Sequence, residues 1–535
     1  MTVTESAPPE TEAPAPERVG PLGPPGLAGV LGTGDHKVIG RAFIGFSLLF
    51  GLTAVVLGAL VGLERMDASE AEIVGSDAFF QVFTLYRVTA LFLFAVPLLL
   101  GLAIHVVPLQ VGARTLAFPR AAAASLWTWL IASALVLTAY GINGGPGGGR
   151  DDGIDLWILA MVVVVAALLA ATVCVLTTVM GLRTPGMTLD RVPMFTWSMF
   201  AAGGVWLLTL PVLIAVLLLM WVDHQYGQVL FGLPETMYDQ VAWSFGQPQL
   251  YAFAVPVLGI VSDIIPVAAG KRARFPLAGA VAIGAFAALG YGSWAMRWLA
   301  GVTDEPVFIA MGLLAPLPLL ALAGGWVDTL LSGRPRPSPA LVLGLVAWLA
   351  LLGATLSGAA AVIEPLHLLG TSFEQGTFNL AWVSMVLGGA AGMHWWAPKL
   401  WGRELGSLTG SLLALLGLGG AVVLAVPELV TGVLDQPLFP TGFEPRDGVE
   451  LLNTVSMVGA FLVALAMLTL VLEWAGASLG RGPDAEDDPR GGHTLEWATA
   501  SPPGHGNFDE VPLVTSGSPL LDPAEASEAD EGSDG

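Results

Sequence analysis

Charge is scarce in this sequence: 12% of its 535 residues are Asp, Glu, Lys or Arg, while 54% are hydrophobic. That balance excludes a soluble globular chain and points to a membrane protein. Cysteine is nearly absent. The one thiol, Cys174, lies inside an apolar run, which excludes a disulfide framework and a thiolate cluster. No glycine-rich phosphate loop and no basic patch suited to nucleic acid occurs. The first 30 residues carry Pro8, Pro9, Pro14, Pro16, Pro24 and Pro25 but no basic stretch leading into an apolar core and cleavage site, so no cleaved signal peptide is expected.

Apolar runs are abundant instead. Segments long enough to cross a bilayer, about 20 residues each, fall near 39–63, 84–110, 123–142, 155–182, 194–221, 242–269, 275–300, 307–330, 338–363, 378–398, 408–433 and 453–476. They predict twelve membrane-spanning helices. Alternate loops hold eleven basic residues, from Arg114 and Arg120 to Lys399 and Arg403, whereas the intervening loops hold Arg65, Arg150 and Arg446 among many acids. Basic loops stay inside, so both termini are expected on the cytoplasmic side of the cell membrane. The net charge of −22 is concentrated at one end, where thirteen acids stand against Arg490 alone between Asp484 and Asp534. The expected division is a disordered tail over 1–32, a membrane domain over 33–480 and an acidic cytoplasmic tail over 481–535, solvated or disordered over 515–535.

Polar punctuation carries the next step. The stretch Trp243-Ser-Phe-Gly-Gln-Pro-Gln-Leu-Tyr-Ala-Phe-Ala-Val-Pro256 has the frame of a metal-binding membrane helix, yet Gln247 and Gln249 offer neutral amides, which are poor transition-metal donors. Gly34-Asp-His-Lys-Val-Ile-Gly40, the loop Pro108 to Arg120, the stretch Arg183 to Trp197, the helix Leu208 to Asp223, and the tail segments Leu495 to Pro503 and Asn507 to Pro512 flank or form the spans. In order and spacing these segments resemble subunit I of the heme–copper terminal oxidases, the cytochrome c oxidase family, from about residue 33 to about residue 520. The resemblance implies an all-α integral membrane protein, a twelve-transmembrane-helix bundle of the subunit I type, in the aerobic respiratory chain.

It also implies where two hemes and one copper would be held. The axial His of the second helix falls at or beside Tyr86, and the copper-ligating His of the sixth helix at Gln247, with the cross-linking tyrosine present as Tyr251. The adjacent His pair of the seventh helix corresponds to Met296 and Arg297, and the His-x-His of the tenth to Thr377 and Asn379. The proton-delivering Glu corresponds to Gln249, the entry Asp to Thr115, its neighbouring Asn residues to Ala122 and Ala123, and the Lys of the eighth helix to Leu322; no Arg lies near Asp435-Gln-Pro437. No catalytic, cofactor-binding or metal-binding residue is therefore expected, and no cofactor. His105 and His394, alone among the histidines in lying inside spans, are the remaining heme candidates, against a structural role for both. Arg87 and Arg297 either fill the vacated volume together with Tyr86, Gln247, Asn379, Trp298 and Trp382, or extend to the outer interface.

Three functions stay open on these residues. One is a catalytically degenerate subunit, a pseudoenzyme serving as structural or assembly partner of a terminal oxidase through subunits II and III or an active subunit I paralogue. Another is an active oxidase reducing O2 with electrons from cytochrome c or quinol. The third is a transporter or sensor whose vacated cavity is lined by Gln247, Gln249, Arg297 and Asp263. The lipid bilayer is the surrounding partner; no nucleic acid is expected.

Overall fold

The computed structural model describes residues 32–66, 76–227, 237–291, 306–439 and 446–522. Met296, Arg297 and Trp298, most of the N-terminal tail and residues 523–535 lie outside the described residues. Where described, the chain is a bundle of helices. The first, α1, spans His36–Met66. The second span runs unbroken over Ala78–Gln110, composed of α2 (Ser76–Val88), a π-helical turn (Thr89–Ala95) and α3 (Val96–Gln110). There follow α4 (Pro119–Gly141), α5 (Asp151–Gly181), α6 (Met194–Gln225), α7 (Gln249–Ala269) and α8 (Pro276–Leu289). The remainder are α9 (Pro306–Leu314), α10 (Pro316–Ser332), α11 (Pro339–Ala361), α12 (Ser372–Trp401), α13 (Ser407–Val433) and α14 (Val449–Ser478).

Ten of these helical stretches are long and apolar enough to cross a membrane, α9 and α10 counting as one. Two of the twelve expected spans fall short for different reasons. Helix α12 has ample length but carries Glu374, Gln375, Thr377, Asn379, His394 and Lys399. Helix α8 has 14 residues, and the expected run to 300 continues past Tyr291 outside the described residues.

Burial identifies the centre. The apolar window of the second span is completely enclosed, and α12 is buried from Gln375 to Leu400. The outer helices pack in sequence order, α4 on α5, α5 on α6, α13 on α14, and α14 closes back on α1. Small residues permit the tight crossings. Where α1 meets α3, a Cβ on Gly40 would sit 2.7 Å from the Gly101 carbonyl, and one on Gly101 would sit 2.9 Å from the Gly40 carbonyl. Within the π-helical turn Pro97 has no amide to give the carbonyl of Phe92, and the Trp129 indole donates to it instead at 3.2 Å.

Residues 481–522 do not trail away from this bundle. Arg490 donates to the carbonyls of His394 (2.8 Å) and Trp395 (3.1 Å) in the last turns of α12, and the Leu520 amide bonds the His493 carbonyl. Asp522 pairs with Arg272 and accepts from Ser516. The expectation of a solvated segment from 515 is thus corrected for 515–522, because Arg272 on a neighbouring loop pairs with Asp522 while Thr515 and Ser516 within the segment donate to it.

Candidate functional site

Tyr86 opens the first polar constellation. Its hydroxyl donates to Asn379 Oδ1 at 2.7 Å, and Asn379 Nδ2 donates to Glu428 Oε2 at 2.7 Å. The other Glu428 oxygen accepts from Arg65 Nη1 at 3.3 Å, while Arg65 Nη2 donates to the Leu438 carbonyl. Gln375 links this set to Arg87: Nε2 donates to Asn379 Oδ1, and Oε1 accepts from Arg87 Nη2 at 3.0 Å. Arg87 also donates to the Tyr238 hydroxyl and lies over the rings of Phe83 and Phe378. Five helices, α1, α2, α12, α13 and α14, meet here, the last through Asn453 donating to the Arg65 carbonyl.

Charges so deep in an apolar bundle require partners. Each has one. The alternative that Arg87 extends to the membrane interface is therefore not what occurs: it is 3% exposed. Trp382 fills beside Tyr86 at a ring separation of 6.0 Å and donates to the Ala90 carbonyl. The cavity left between Tyr86, Asn379, Trp382 and Glu428 measures about 20 Å³, room for roughly one water.

Gln247 and Tyr251 form a separate pair. The Tyr251 hydroxyl donates to Gln247 Oε1 at 2.8 Å with the Ala354 carbonyl 3.1 Å away, and Gln247 Nε2 donates to the Gly358 carbonyl. Thr377 bonds Ser357, and Gln249 bonds Thr209. The structure thus joins Tyr86 to Asn379 but keeps Gln247, Gln249, Thr377 and Asp263 on partners of their own.

The two heme candidates also have occupied rings. His105 Nδ1 lies 3.2 Å from the Lys37 carbonyl and Nε2 lies 3.1 Å from the Lys399 carbonyl. His394 Nε2 lies 3.0 Å from Glu473 Oε2. The imidazole that packs against His105 is His36, at 6.2 Å. Among the described residues no three His, Cys, Asp or Glu side chains form a group able to hold a metal ion.

A second constellation lies under the tail, where the segments that carry the resemblance converge. Asn507 joins His36 (3.1 Å), Lys37 (3.1 Å) and the Ala113 carbonyl (2.8 Å). Gln110 Nε2 is shared between Asp263 Oδ2 (2.9 Å) and Glu496 Oε1 (3.0 Å), and its Oε1 accepts from Thr196. Asp263 caps α6 by accepting from the Met194 and Phe195 amides, suiting a negative group to a helix N-terminus. Glu496 also accepts from the Trp396 indole, and its second oxygen is buried. Burial pushes its carboxyl above the ordinary range. Burial likewise pulls the Arg490 guanidinium down, with Glu404 and Asp488 opposing.

Asp263 was expected only as a lining residue of a vacated cavity, and Gln110, Lys399, Glu428, Glu496 and Asn507 were not singled out from the sequence as site residues. Only an intramembrane acid, Glu428 or Asp263, gave a local signal, because an unpaired one would be costly.

The family model for cytochrome c and quinol oxidase polypeptide I matches residues 38–462. A protein of Streptomyces avermitilis whose name assigns it, provisionally, to cytochrome c oxidase subunit 1-beta is 32% identical, covering 93% of this chain and 93% of its own length. Cytochrome c oxidase subunit 1 of Bacillus subtilis is 28% identical, covering 92% and 82%. Among solved structures, a heme–copper terminal oxidase dimer studied by cryo-EM aligns with a TM-score of 0.67 at 13% identity, covering 92% of this chain and 89% of that one. These matches overturn the expectation of no cofactor: the family is one of heme–copper oxidases, and heme and copper are its cofactors. Among the described residues, the side chains at the positions inferred for their ligands do not fit such groups as packed: Tyr86 and Asn379 are bonded to each other beside a one-water gap, while Gln247 and Thr377 are bonded to the Gly358 carbonyl and Ser357. Matched over most of its length, the chain belongs to the cytochrome c and quinol oxidase polypeptide I family.

Proposed function

We propose that this chain is a membrane subunit of a terminal oxidase assembly that keeps the oxidase fold without itself turning over oxygen, as a structural or assembly partner of subunits II and III or of an active subunit I paralogue. One observation carries the reading: where redox-metal donors are expected from the resemblance, Tyr86 and Asn379 are bonded to each other and to the Arg65–Glu428 pair. Arg65 Nε has no partner among the described residues, but the other bonds of this buried network hold Tyr86 and Asn379 in place. The other reading, an active oxidase drawing electrons from cytochrome c or quinol, is favoured by relatives named cytochrome c oxidase subunit 1 that align over 92% of the chain.

Purification of the tagged chain from native membranes separates the two. Oxidase subunits are expected to co-purify, and cyanide-sensitive O2 uptake is expected to vanish when the partner's catalytic subunit is deleted; uptake that persists in that deletion overturns the proposal. The reading also puts both termini on the cytoplasmic side, supported by the tail lying against the basic loops at Arg272 and Arg403. Reporter fusions at residues 32 and 522 check it, and an external signal from either refutes it.

A further inference from the structure

A surface groove of about 130 Å³ opens between α7, α8 and α10, comparable to the ~150 Å³ that houses a small apolar ligand in an engineered protein cavity. Its walls are Ile265, Phe275, Ala278, Leu322, Gly325 and Trp326, with Ser262 and Thr329 the hydroxyls within reach. Both hydroxyls are committed, Ser262 to the Leu258 carbonyl and Thr329 to the Gly325 carbonyl, and Ser262 accepts from the Trp326 indole. An occupant must therefore be apolar along the wall. The surrounding face is open to lipid, with Leu277 72% and Phe275 55% exposed.

The rim differs. The loop that supplies Ala273 and Phe275 also carries Lys271, Arg272 and Arg274. Arg272 is paired with Asp522 and Arg274 with Asp328, whereas Lys271 is exposed and its side chain makes no ion pair or hydrogen bond among the described residues. Lys271 is thus an unpaired ammonium on the loop that borders the groove, and the exposed Arg334 and Arg336, whose amides bond the Ala269 and Ala268 carbonyls, add positive charge beside it.

We propose that this groove holds a segment of one acyl chain of an anionic phospholipid, whose phosphate rests on Lys271. An apolar slot beside a cationic loop matches that amphiphile, and each juxtamembrane lysine favours anionic over zwitterionic headgroups by about fivefold. The inference is independent of whether the chain turns over oxygen.

Gly325 allows a clean test, because a Cβ built on it meets nothing within 4 Å and leucine is a better helix former than glycine. Full-length protein in nanodiscs of phosphatidylglycerol mixed with phosphatidylcholine is examined by native mass spectrometry, alongside Gly325→Leu and Lys271→Glu. The wild type is expected to retain one phosphatidylglycerol. Gly325→Leu is expected to lower retention at least tenfold with unchanged melting temperature, and Lys271→Glu to remove the preference for phosphatidylglycerol while retention of phosphatidylcholine persists. Equal retention by wild type and Gly325→Leu, no headgroup preference in the wild type, or a protein segment found seated in the groove overturns the proposal.

Discussion

Glu428 accepts from Arg65 with one oxygen and from Asn379 with the other, at 5% exposure. Removing one member of a buried pair strands the other's charge, at about 3–5 kcal/mol, whereas replacing both by apolar groups of like size is often neutral. Glu428→Leu and Arg65→Met are each expected to lower the melting temperature in detergent sharply, and the double variant to recover most of the loss. A double variant as unstable as the sum would show the pair has no coupling. Tyr86→Phe withdraws one of the two donors to Asn379 Oδ1, Gln375 keeping the other, and is expected to cost about 0.5–1.5 kcal/mol, read by the same melt. Tyr86 and Asn379 were legible in the sequence as positions of interest, whereas Glu428 was not singled out there. Their pairing was hidden, since Tyr86 and Asn379 lie 293 positions apart and nothing local to either names the other.

Between elements, glycine decides how closely helices approach. A Cβ on Gly459 of α14 would overlap the Leu424 backbone nitrogen of α13, while one on Gly419 meets nothing within 4 Å. Gly459→Val is expected to cost more than the ~1–3 kcal/mol of ordinary overpacking and to reduce folded yield, with Gly419→Val close to wild type; equal yields of the two would contradict this crossing. Helix positions were largely readable, because twenty apolar residues have few other fates. Helix α12 was underestimated at both ends, 378–398 against Ser372–Trp401, because Gln375, Thr377 and Lys399 are polar residues whose burial depends on partners elsewhere in the chain.

For the molecule as a whole, the tail is an integral part of the bundle. Glu496 is surrounded by Gln110 and Trp396, which donate to it, by Asp263 across the shared amide, and by the Lys399 ammonium, which also faces Asp487 and Asp488. A carboxyl whose affinity for protons is raised on docking binds more protons docked than free, so docking is strongest at low pH. It weakens as pH climbs from the free to the docked value and then levels off. Amide exchange over residues 490–512 is expected to quicken with pH beyond its intrinsic rise, and Glu496→Gln to remove the excess; an unchanged profile would deny Glu496 this part. Composition marked these residues as acidic and polar, and acidity alone reads as solvation, which hid their anchors. Asn507 holds His36 and Lys37, at the start of the first membrane helix, from 471 and 470 positions further along. During synthesis that junction has no counterpart until every span has been inserted, so ribosome-bound or prematurely terminated chains would leave the opening of α1 without its final clasp.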